Sequence, residues 1–450
     1  MSVAIEAPPQ VSLRQAFMVW LRIGLTNFGG PAGQIATMHK LLVDELRWIS
    51  ETRFLHALNY CMMLPGPEAQ QLATYIGWLQ HRTLGGLIAG GLFILPGFLL
   101  MLCISTAYCL YGDLTAVQGL LFGLKAAVLA VVVEAVMRVG KRALKNRLMW
   151  GIAAAAFVGI FFLEIPFPLI ILGAAVIGLA GQRFRPELFA GSRNGGKDDE
   201  AESDPIPAHA HPSLSRSIKV LMICGLLWWA PILAIGGLLG WSHIYAQQGL
   251  FFSKMAVVTF GGAYAVLAYV AQEAVNRFAW LAPGEMIQGL ALAETTPGPL
   301  ILVLTFVGYV GAFRHPGVLN PVWAGVLGAT LTTWVTFVPC FLWIFLGAPY
   351  IEKLRTNRTL SAALSAITAA VVGVILNLAV WFALHALFAD VATVHRYGFA
   401  VPVPRMASID MAAAVLAAAS MLAMLRFKAQ MIPTLFVSAV LGLGWKLAVV

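Results

Sequence analysis

Four short motifs put helix-breaking and polar residues inside apolar stretches of this chain. They are "NFGGPAGQ" at 27–34, "LPGPEAQQLATYIGW" at 64–78, "TFGGAYAVLAYV" at 259–270 and "TPGPLILVLTFVGY" at 296–309. A proline inside a continuous helix costs about 3 kcal/mol, whereas at the first helical position its missing N–H is not needed. The motifs therefore predict broken helices, with new half-helices starting at Pro67 and Pro299.

A helix that starts inside a membrane protein is suited to anion binding. Its first N–H groups are unpaired and carry about half a positive charge, which favours phosphate-like oxyanions. Neighbouring hydroxyl, amide and basic side chains would add donors and charge. We therefore expect a site for a tetrahedral dianion. Its candidate residues are Arg22, Thr26, Asn27, Gly29, Gly30, Gln34, Pro65, Gly66, Pro67, Glu68, Lys254, Thr259, Gly261, Gly262, Tyr264, Thr296, Pro297, Gly298 and Pro299.

Each of these features also has an interpretation without a ligand. Glycine pairs let membrane helices pack closely, and basic side chains near a helix end extend to the interface. Glu68 is either an ordinary capping carboxylate or, like Glu294, a carrier of a coupled proton.

Composition indicates the class of protein. The 450-residue chain is 60% hydrophobic and 11% charged, against about 25% charged residues in soluble domains. Several apolar runs reach the ~20 residues that cross a bilayer. The sequence predicts an all-α polytopic membrane protein. Thirteen membrane spans are expected, at 13–37, 54–80, 84–111, 113–139, 148–163, 166–182, 217–239, 245–270, 285–310, 320–348, 359–388, 407–425 and 431–449.

Other functional classes find little support in the sequence. The net charge of +9 is better explained by basic cytoplasmic loops than by nucleic-acid binding. The five cysteines lie in apolar runs without metal-site spacing, and the histidines of "AHAHP" at 208–212 suit a solvated loop. The N-terminus lacks the pattern of a cleaved signal peptide. We expect neither a metal nor a cofactor.

The motifs recur in one register, which indicates an internal duplication. The Gly-Gly motifs, the Pro-Gly-Pro motifs, and Trp48 with Trp280 all lie 232 positions apart. The predicted organisation is an N-terminal repeat at 1–182, a polar linker at 183–216 and a C-terminal repeat at 217–450.

Loop charge predicts that the two halves are inverted. Basic residues follow the span 113–139 at 138–147 but precede the matching span 359–388 at 352–358. If both basic loops face the cytoplasm, these helices run in opposite directions, as in an inverted-topology repeat. The N-terminus and linker are then cytoplasmic and the C-terminus periplasmic. The basic segments 38–53 and 389–406 fall on the outside and fit poorly, unless the first span is re-entrant.

The combined motifs resemble the chromate ion transporter family in its long, two-domain form. The resemblance covers both halves and leaves out the linker and the extreme termini. It implies export of chromate from the cytoplasm across the bacterial inner membrane, giving chromate resistance. The second Gly-Gly motif lacks the proline and glutamine of the first, so the halves need not contribute equally.

Two alternatives stay open at this point. Sulfate and chromate are near-isosteric dianions, so a transporter of sulfate or another inorganic or organic anion fits the same pattern. A membrane-embedded enzyme would need clustered carboxylates or histidines with a metal, or a nucleotide motif for a reductase. The intramembrane acids are few and scattered, which disfavours the enzyme. Besides the substrate and the lipid bilayer, a homodimer partner stays open.

Overall fold

The computed structural model describes residues 11–28, 30–189, 209, 211–282, 284–351, 358–396 and 399–449. Within these ranges the protein is almost entirely helical, as the sequence predicts. Seven helices are long and apolar enough to cross a membrane, and three shorter apolar helices accompany them. The prediction of a multi-pass helical membrane protein is confirmed.

The helices of the first half start where the sequence supplies caps. Ser12 and Gln15 form a capping box at the first helix, and the side chains of Ser50 and Asn146 accept bonds at two later starts. The helices are α1 Leu13–Thr26, α2 Gly30–His39, α3 Glu51–Cys61, α4 Glu68–Tyr111, α5 Thr115–Ala143, α6 Arg147–Phe161, α7 Phe167–Phe184 and the short α8 Pro186–Phe189. Phe189 is buried against Gly181, so the packed part of this half extends into the predicted linker.

The second half repeats the order of half-helices and adds a strand pair. Its helices are α9 Leu214–Leu239, α10 Ile244–Val258, α11 Ala263–Gln272, α12 Glu285–Glu294, α13 Val303–Arg314, α14 Pro321–Gly347, α15 Arg358–Leu387, α16 Met411–Met421 and α17 Met431–Val449. Strands β1 Val391–Arg396 and β2 Phe399–Pro404 pair antiparallel between α15 and α16. We expected only a loop there, although the alternating apolar residues of 399–403 suit a strand.

Helix α4 is bent back on itself. His81 and Arg82 have non-helical backbone angles, and they divide α4 into an arm at 68–80 and an arm at 83–111. The two arms are antiparallel and very close, since a Cβ on Gly77 would lie 2.4 Å from the carbonyl oxygen of Gly85. This reversal confirms the predicted boundary between the spans 54–80 and 84–111.

The four spans that carry motifs are pairs of half-helices. In the last of them, Glu285 at the start of α12 and Arg314 at the end of α13 form two hydrogen bonds of 2.7 Å. In the third, Lys254 of α10 lies 3.5 Å from the hydroxyl of Tyr269 in α11. Both pairs therefore fold back as helical hairpins.

The structure does not confirm thirteen spans, because 245–270 and 285–310 each fold back on themselves and neither forms one continuous helix. A half-helix of 10–15 residues rises only about 15–22 Å, less than the ~30 Å hydrocarbon core. A broken pair can reach the middle of the membrane and return, which composition alone does not distinguish from a crossing.

The two halves are interlocked. Helix α5 of the first half packs against α16 and α17 of the second, while α15 of the second half packs against α6 and α7 of the first. Glycines allow this close approach: a Cβ on Gly123 would lie 1.9 Å from the Ser438 carbonyl oxygen, and one on Gly373 would lie 2.0 Å from that of Ala153. Helices α5 and α15 also contact each other, and they pack against the half-helices α12 and α11, respectively.

Candidate functional site

The helix breaks of the two halves meet in reciprocal pairs. The amide of Gly66 donates to the carbonyl of Thr259 at 2.7 Å, and the amide of Gly298 donates to the carbonyl of Asn27 at 2.9 Å. The two pairs are equivalent, since Gly66 and Gly298, like Asn27 and Thr259, lie 232 positions apart. Each Pro-Gly-Pro break is thus held by the Gly-Gly break of the other half.

Glycine is required at both Pro-Gly-Pro breaks. Gly66 has φ +120° and Gly298 has φ +102°, values that other residues rarely adopt. A Cβ on Gly66 would lie 2.8 Å from Sγ of Cys340 in α14. Gln71 supports this break by donating to the carbonyl of Pro65 at 2.8 Å.

The arm 83–111 of α4 lies beside both breaks. A Cβ on Gly97 would lie 2.1 Å from the carbonyl oxygen of Pro297, and one on Gly90 would lie 2.8 Å from Nε2 of Gln70. Gly90 and Gly97 are separated by about 10 Å along a helix. The contact of Gly66 with the Thr259 break and the contact of Gly298 with the Asn27 break therefore belong to one region of the molecule. We call these two contacts the Gly66 crossing and the Gly298 crossing.

The crossing at Gly298 contains an unsatisfied amide side chain. Asn27 is fully buried, and neither its nitrogen nor its oxygen has a hydrogen-bond partner among the described residues. Beside it, Nε2 of Gln34 donates to the carbonyl of Gly298 at 2.5 Å. The structure thus brings Asn27, Gln34 and Gly298 together, while Gly29 lies outside the described residues. An unpaired buried amide is costly, and a ligand would satisfy it.

The crossing at Gly66 contains charged groups. Glu68 is the first residue of α4, and its Oε1 lies 4.0 Å from the Cβ position of Gly262. The guanidinium of Arg142 on α5 interacts electrostatically with the Glu68 carboxylate, and it also donates to Sδ of Met62 at 2.9 Å. A carboxylate therefore lies at the start of this half-helix, and an exposed guanidinium acts on it from α5.

A second carboxylate is buried close by. Glu294, the last residue of α12, accepts a hydrogen bond from the hydroxyl of Tyr264 on α11, and both side chains are buried. Arg138 interacts with this pair and donates to Glu134 at 2.5 Å. Arg138 was not among the predicted site residues, and Glu294 was predicted only as an alternative carrier of a coupled proton.

The basic residues of α5 could have been recognised from their spacing. We expected Arg138 and Arg142 to lie in a cytoplasmic loop, whereas both lie in the last part of α5. Glu134, Arg138 and Arg142 recur every four residues, which places them on one face of a helix.

The side chains of three predicted residues do not take part in the breaks. Arg22 and Thr26 are exposed, and the Thr26 hydroxyl donates to the Arg22 carbonyl within α1. Lys254 is exposed and lies over the ring of Tyr269, 5.5 Å from its centre. Their spacing before the Gly-Gly motifs is regular, but helix packing turns these side chains away.

The remaining predicted residues shape the breaks through their backbone. The hydroxyls of Thr259 and Thr296 donate to carbonyls of their own helices at 2.5 and 2.8 Å. Gly30, Gly261 and Gly262 have positive φ, which only glycine tolerates readily, and Gly261 packs against Val371 of α15. Pro65, Pro67, Pro297 and Pro299 lie at the breaks themselves.

The starts of the half-helices offer backbone N–H donors to a ligand, but these are not the amides of the glycines in the motifs. The amides of Gly66 and Gly298 are occupied by the reciprocal bonds. Pro67, Gly262 and Pro299 precede helical turns without a side-chain cap. The first-turn N–H groups that follow them are candidate donors to an anion, although the Glu68 carboxylate already accepts from a backbone N–H at the start of α4.

This geometry can be compared with known proteins. Residues 14–179 and 246–443 match the family described as chromate transporter. The chain belongs to the chromate transporter family. The two matched ranges carry both sets of motifs and leave out the polar linker and α9, in agreement with the internal duplication.

Individual relatives of this chromate transporter family member cover most of the chain. A chromate transport protein of Pseudomonas aeruginosa is 33% identical over 82% of this chain and 80% of its own length. One of Cupriavidus metallidurans is 29% identical over 83% of each chain. The uncharacterized transporter YwrB of Bacillus subtilis matches 34% of this chain with 79% of its own length. No solved structure matches. These relatives are transport proteins, so the enzyme alternative is rejected.

Proposed function

We propose that this protein exports chromate from the cytoplasm across the bacterial inner membrane and so gives chromate resistance. Family membership and relatives named chromate transport proteins support the substrate. The observation that carries the site is the reciprocal pair of bonds from Gly66 to Thr259 and from Gly298 to Asn27. These bonds gather half-helix starts from both halves into one region, where a dianion finds converging donors.

The anion would bind at the crossing of Gly66 and Gly262. There it meets uncapped N–H groups of α4 and α11, and Arg142 supplies a positive charge. The unpaired amide of Asn27 at the other crossing adds a donor and an acceptor. Glu68 opposes anion binding, because its carboxylate occupies the same half-helix start.

An inverted repeat is the topology that we propose for the two halves. The reversal at 81–82 lies at the start of the arm 83–111, where Gly86 packs against Phe345. The open end of the α12–α13 hairpin lies at the other end, where Tyr108 donates to Glu285 at 2.7 Å. Hairpins entering from opposite membrane faces would meet midway, as in other secondary transporters.

Membrane orientation then follows from the positive-inside rule. If two predicted spans of each half are hairpins that return to the same face, each half loses two membrane spans. An even loss does not change which face the chain ends on, so the N-terminus and linker stay cytoplasmic and the C-terminus stays periplasmic. The basic residues of 38–53, which fitted poorly, move to the cytoplasmic face if the first half folds as the second does. We retain the domain boundaries 1–182, 183–216 and 217–450.

The membrane potential is sufficient to drive export. Each negative charge leaving a cell whose interior is negative gains about 2.3 kcal/mol per 100 mV. A dianion gains roughly 4–5 kcal/mol, which supports more than a thousandfold gradient. Coupling to an additional ion, such as a proton on Glu68 or Glu294, is a separate mechanism with its own test.

Uptake of radiolabelled chromate into inside-out vesicles tests the proposal. We expect accumulation that an uncoupler abolishes and that an inside-positive potassium diffusion potential restores without a pH gradient. If accumulation is restored only by a pH gradient, proton coupling and not the membrane potential drives export. If the vesicles accumulate sulfate but not chromate, sulfate is the substrate. If they accumulate neither anion, the proposal is overturned.

A further inference from the structure

A basic cleft lies at the end of the molecule where α4 reverses. It has a volume of about 350 Å³, and it is separated from the helix breaks by roughly 20 Å, the length of the arm 68–80. Its lining residues include two arginines, two histidines and two hydroxyl side chains, and none of them is acidic. They are Trp78, Arg82, Thr83, His209, His211, Ser213 and Arg216.

Arg82 occupies a backbone conformation that favours glycine. Its φ of +53° and ψ of −147° lie outside the regions allowed to ordinary residues, at a cost of roughly 1–3 kcal/mol. Its side chain is exposed, and its guanidinium makes no hydrogen bond or ion pair with the described residues. Glycine would relieve the strain, so a change to glycine removes the guanidinium without a backbone cost.

Arg216 and His209 are already held in place on the cleft wall. Arg216 donates to the carbonyls of His209 at 2.8 Å and Phe345 at 3.3 Å, and it lies 4.8 Å from the ring centre of Trp78. Nε2 of His209 lies 3.0 Å from the carbonyl oxygen of Trp78. A carbonyl only accepts, so Nε2 carries the proton, and Nδ1 becomes a donor to an anion only when the ring is protonated.

We propose that this cleft binds one tetrahedral oxyanion. Arg82 and Arg216 supply planar donor groups that match two oxygens of such an anion, and the hydroxyls of Thr83 and Ser213 supply further donors. Phosphate groups of lipids and free dianions such as sulfate present the same oxygens. The site is distinct from the helix breaks, and its existence does not depend on the transported substrate.

Thermal unfolding of the purified full-length protein tests the cleft. In lipid-free detergent we expect sodium sulfate to raise Tm by roughly 2–5 °C over sodium chloride at equal ionic strength. Arg82→Gly relieves backbone strain and should leave the protein folded while removing most of this increase. Arg47→Gly is the matched control, because Arg47 is exposed and also has positive φ, at +52°.

A second arm distinguishes the source of the anion. Phosphatidylglycerol is added to the same samples in place of sulfate, with phosphatidylcholine as the neutral comparison. An Arg82-dependent increase with sulfate identifies a free-anion site, and one with phosphatidylglycerol alone identifies a lipid headgroup site. The proposal is overturned if Arg82→Gly keeps the full increase in both arms, or if neither anion raises Tm. Neither result depends on chromate transport.

Discussion

Gly66 in one half donates its amide hydrogen to the carbonyl of Thr259 in the other at 2.7 Å, and Gly298 repeats this bond to Asn27 at 2.9 Å. Each half therefore fixes the break of the other. A movement of one break relative to its partner would therefore break or lengthen a hydrogen bond between the two halves.

Replacing Gly66 by alanine should abolish transport. The new Cβ would lie 2.8 Å from Sγ of Cys340 and 2.9 Å from Nε2 of Gln71, at a φ of +120°. We expect at least a tenfold loss of chromate uptake in inside-out vesicles at equal protein level. Gly91→Ala is the control, because a Cβ there has open space around it. Normal uptake by Gly66→Ala would contradict the assigned break.

Arg142→Gln should weaken binding of a dianion. Arg142 is exposed, so solvent screens its charge, and we expect its removal to raise the KM for chromate only about twofold to fivefold. Lys141→Gln changes the neighbouring exposed residue of α5 and should leave KM unchanged. Equal effects of the two variants would indicate a general surface-charge effect instead.

Glu68→Gln should act in the opposite direction. The glutamine keeps the size of the side chain at the start of α4 but removes the negative charge that competes with the substrate. We expect a lower KM for chromate in vesicle uptake. If uptake is instead lost while Tm is unchanged, the carboxylate serves the transport cycle, as a proton carrier would.

Arg314→Gln should destabilise the hairpin of α12 and α13. Glu285 has a side chain only 12% exposed and would lose its cation, while Arg314 is 39% exposed, so the loss is about 1–2 kcal/mol rather than the full value for a buried pair. Tm should fall by several degrees, and the double variant Glu285→Gln/Arg314→Gln should recover part of it. A Tm of Arg314→Gln equal to that of the native protein would show that the ion pair of Glu285 with Arg314 does not stabilise the hairpin.

Docking of His209 on Trp78 should weaken in acid. Burial lowers the pKa of His209, Arg82 and Arg216 lower it further, and the bond to the Trp78 carbonyl opposes them. The docked histidine binds protons more weakly than a free one, so docking is favoured above about pH 6.5 and is lost as the pH falls. Histidine NMR, assigned with His209→Gln, should show this low pKa, and sulfate should raise it. Titration above 6.5 without sulfate would contradict the contact.

The sequence by itself determined the breaks and the repeat. Proline lacks an N–H and glycine tolerates positive φ, so Pro67 and Pro299 precede new helical turns within a residue of the expected positions. These are local effects of covalent structure. The constant spacing of 232 residues likewise needed no contacts to be recognised.

Only the tertiary structure decided which groups meet. Whether a broken pair crosses the membrane or returns depends on contacts such as Glu285 with Arg314, which apolar composition does not encode. The same holds for Lys254, which packing turns towards Tyr269, and for Arg142, which the contact of α5 with the breaks brings to Glu68. These contacts join residues that are far apart in the chain and depend on how the helices pack. A local sequence pattern therefore does not predict them.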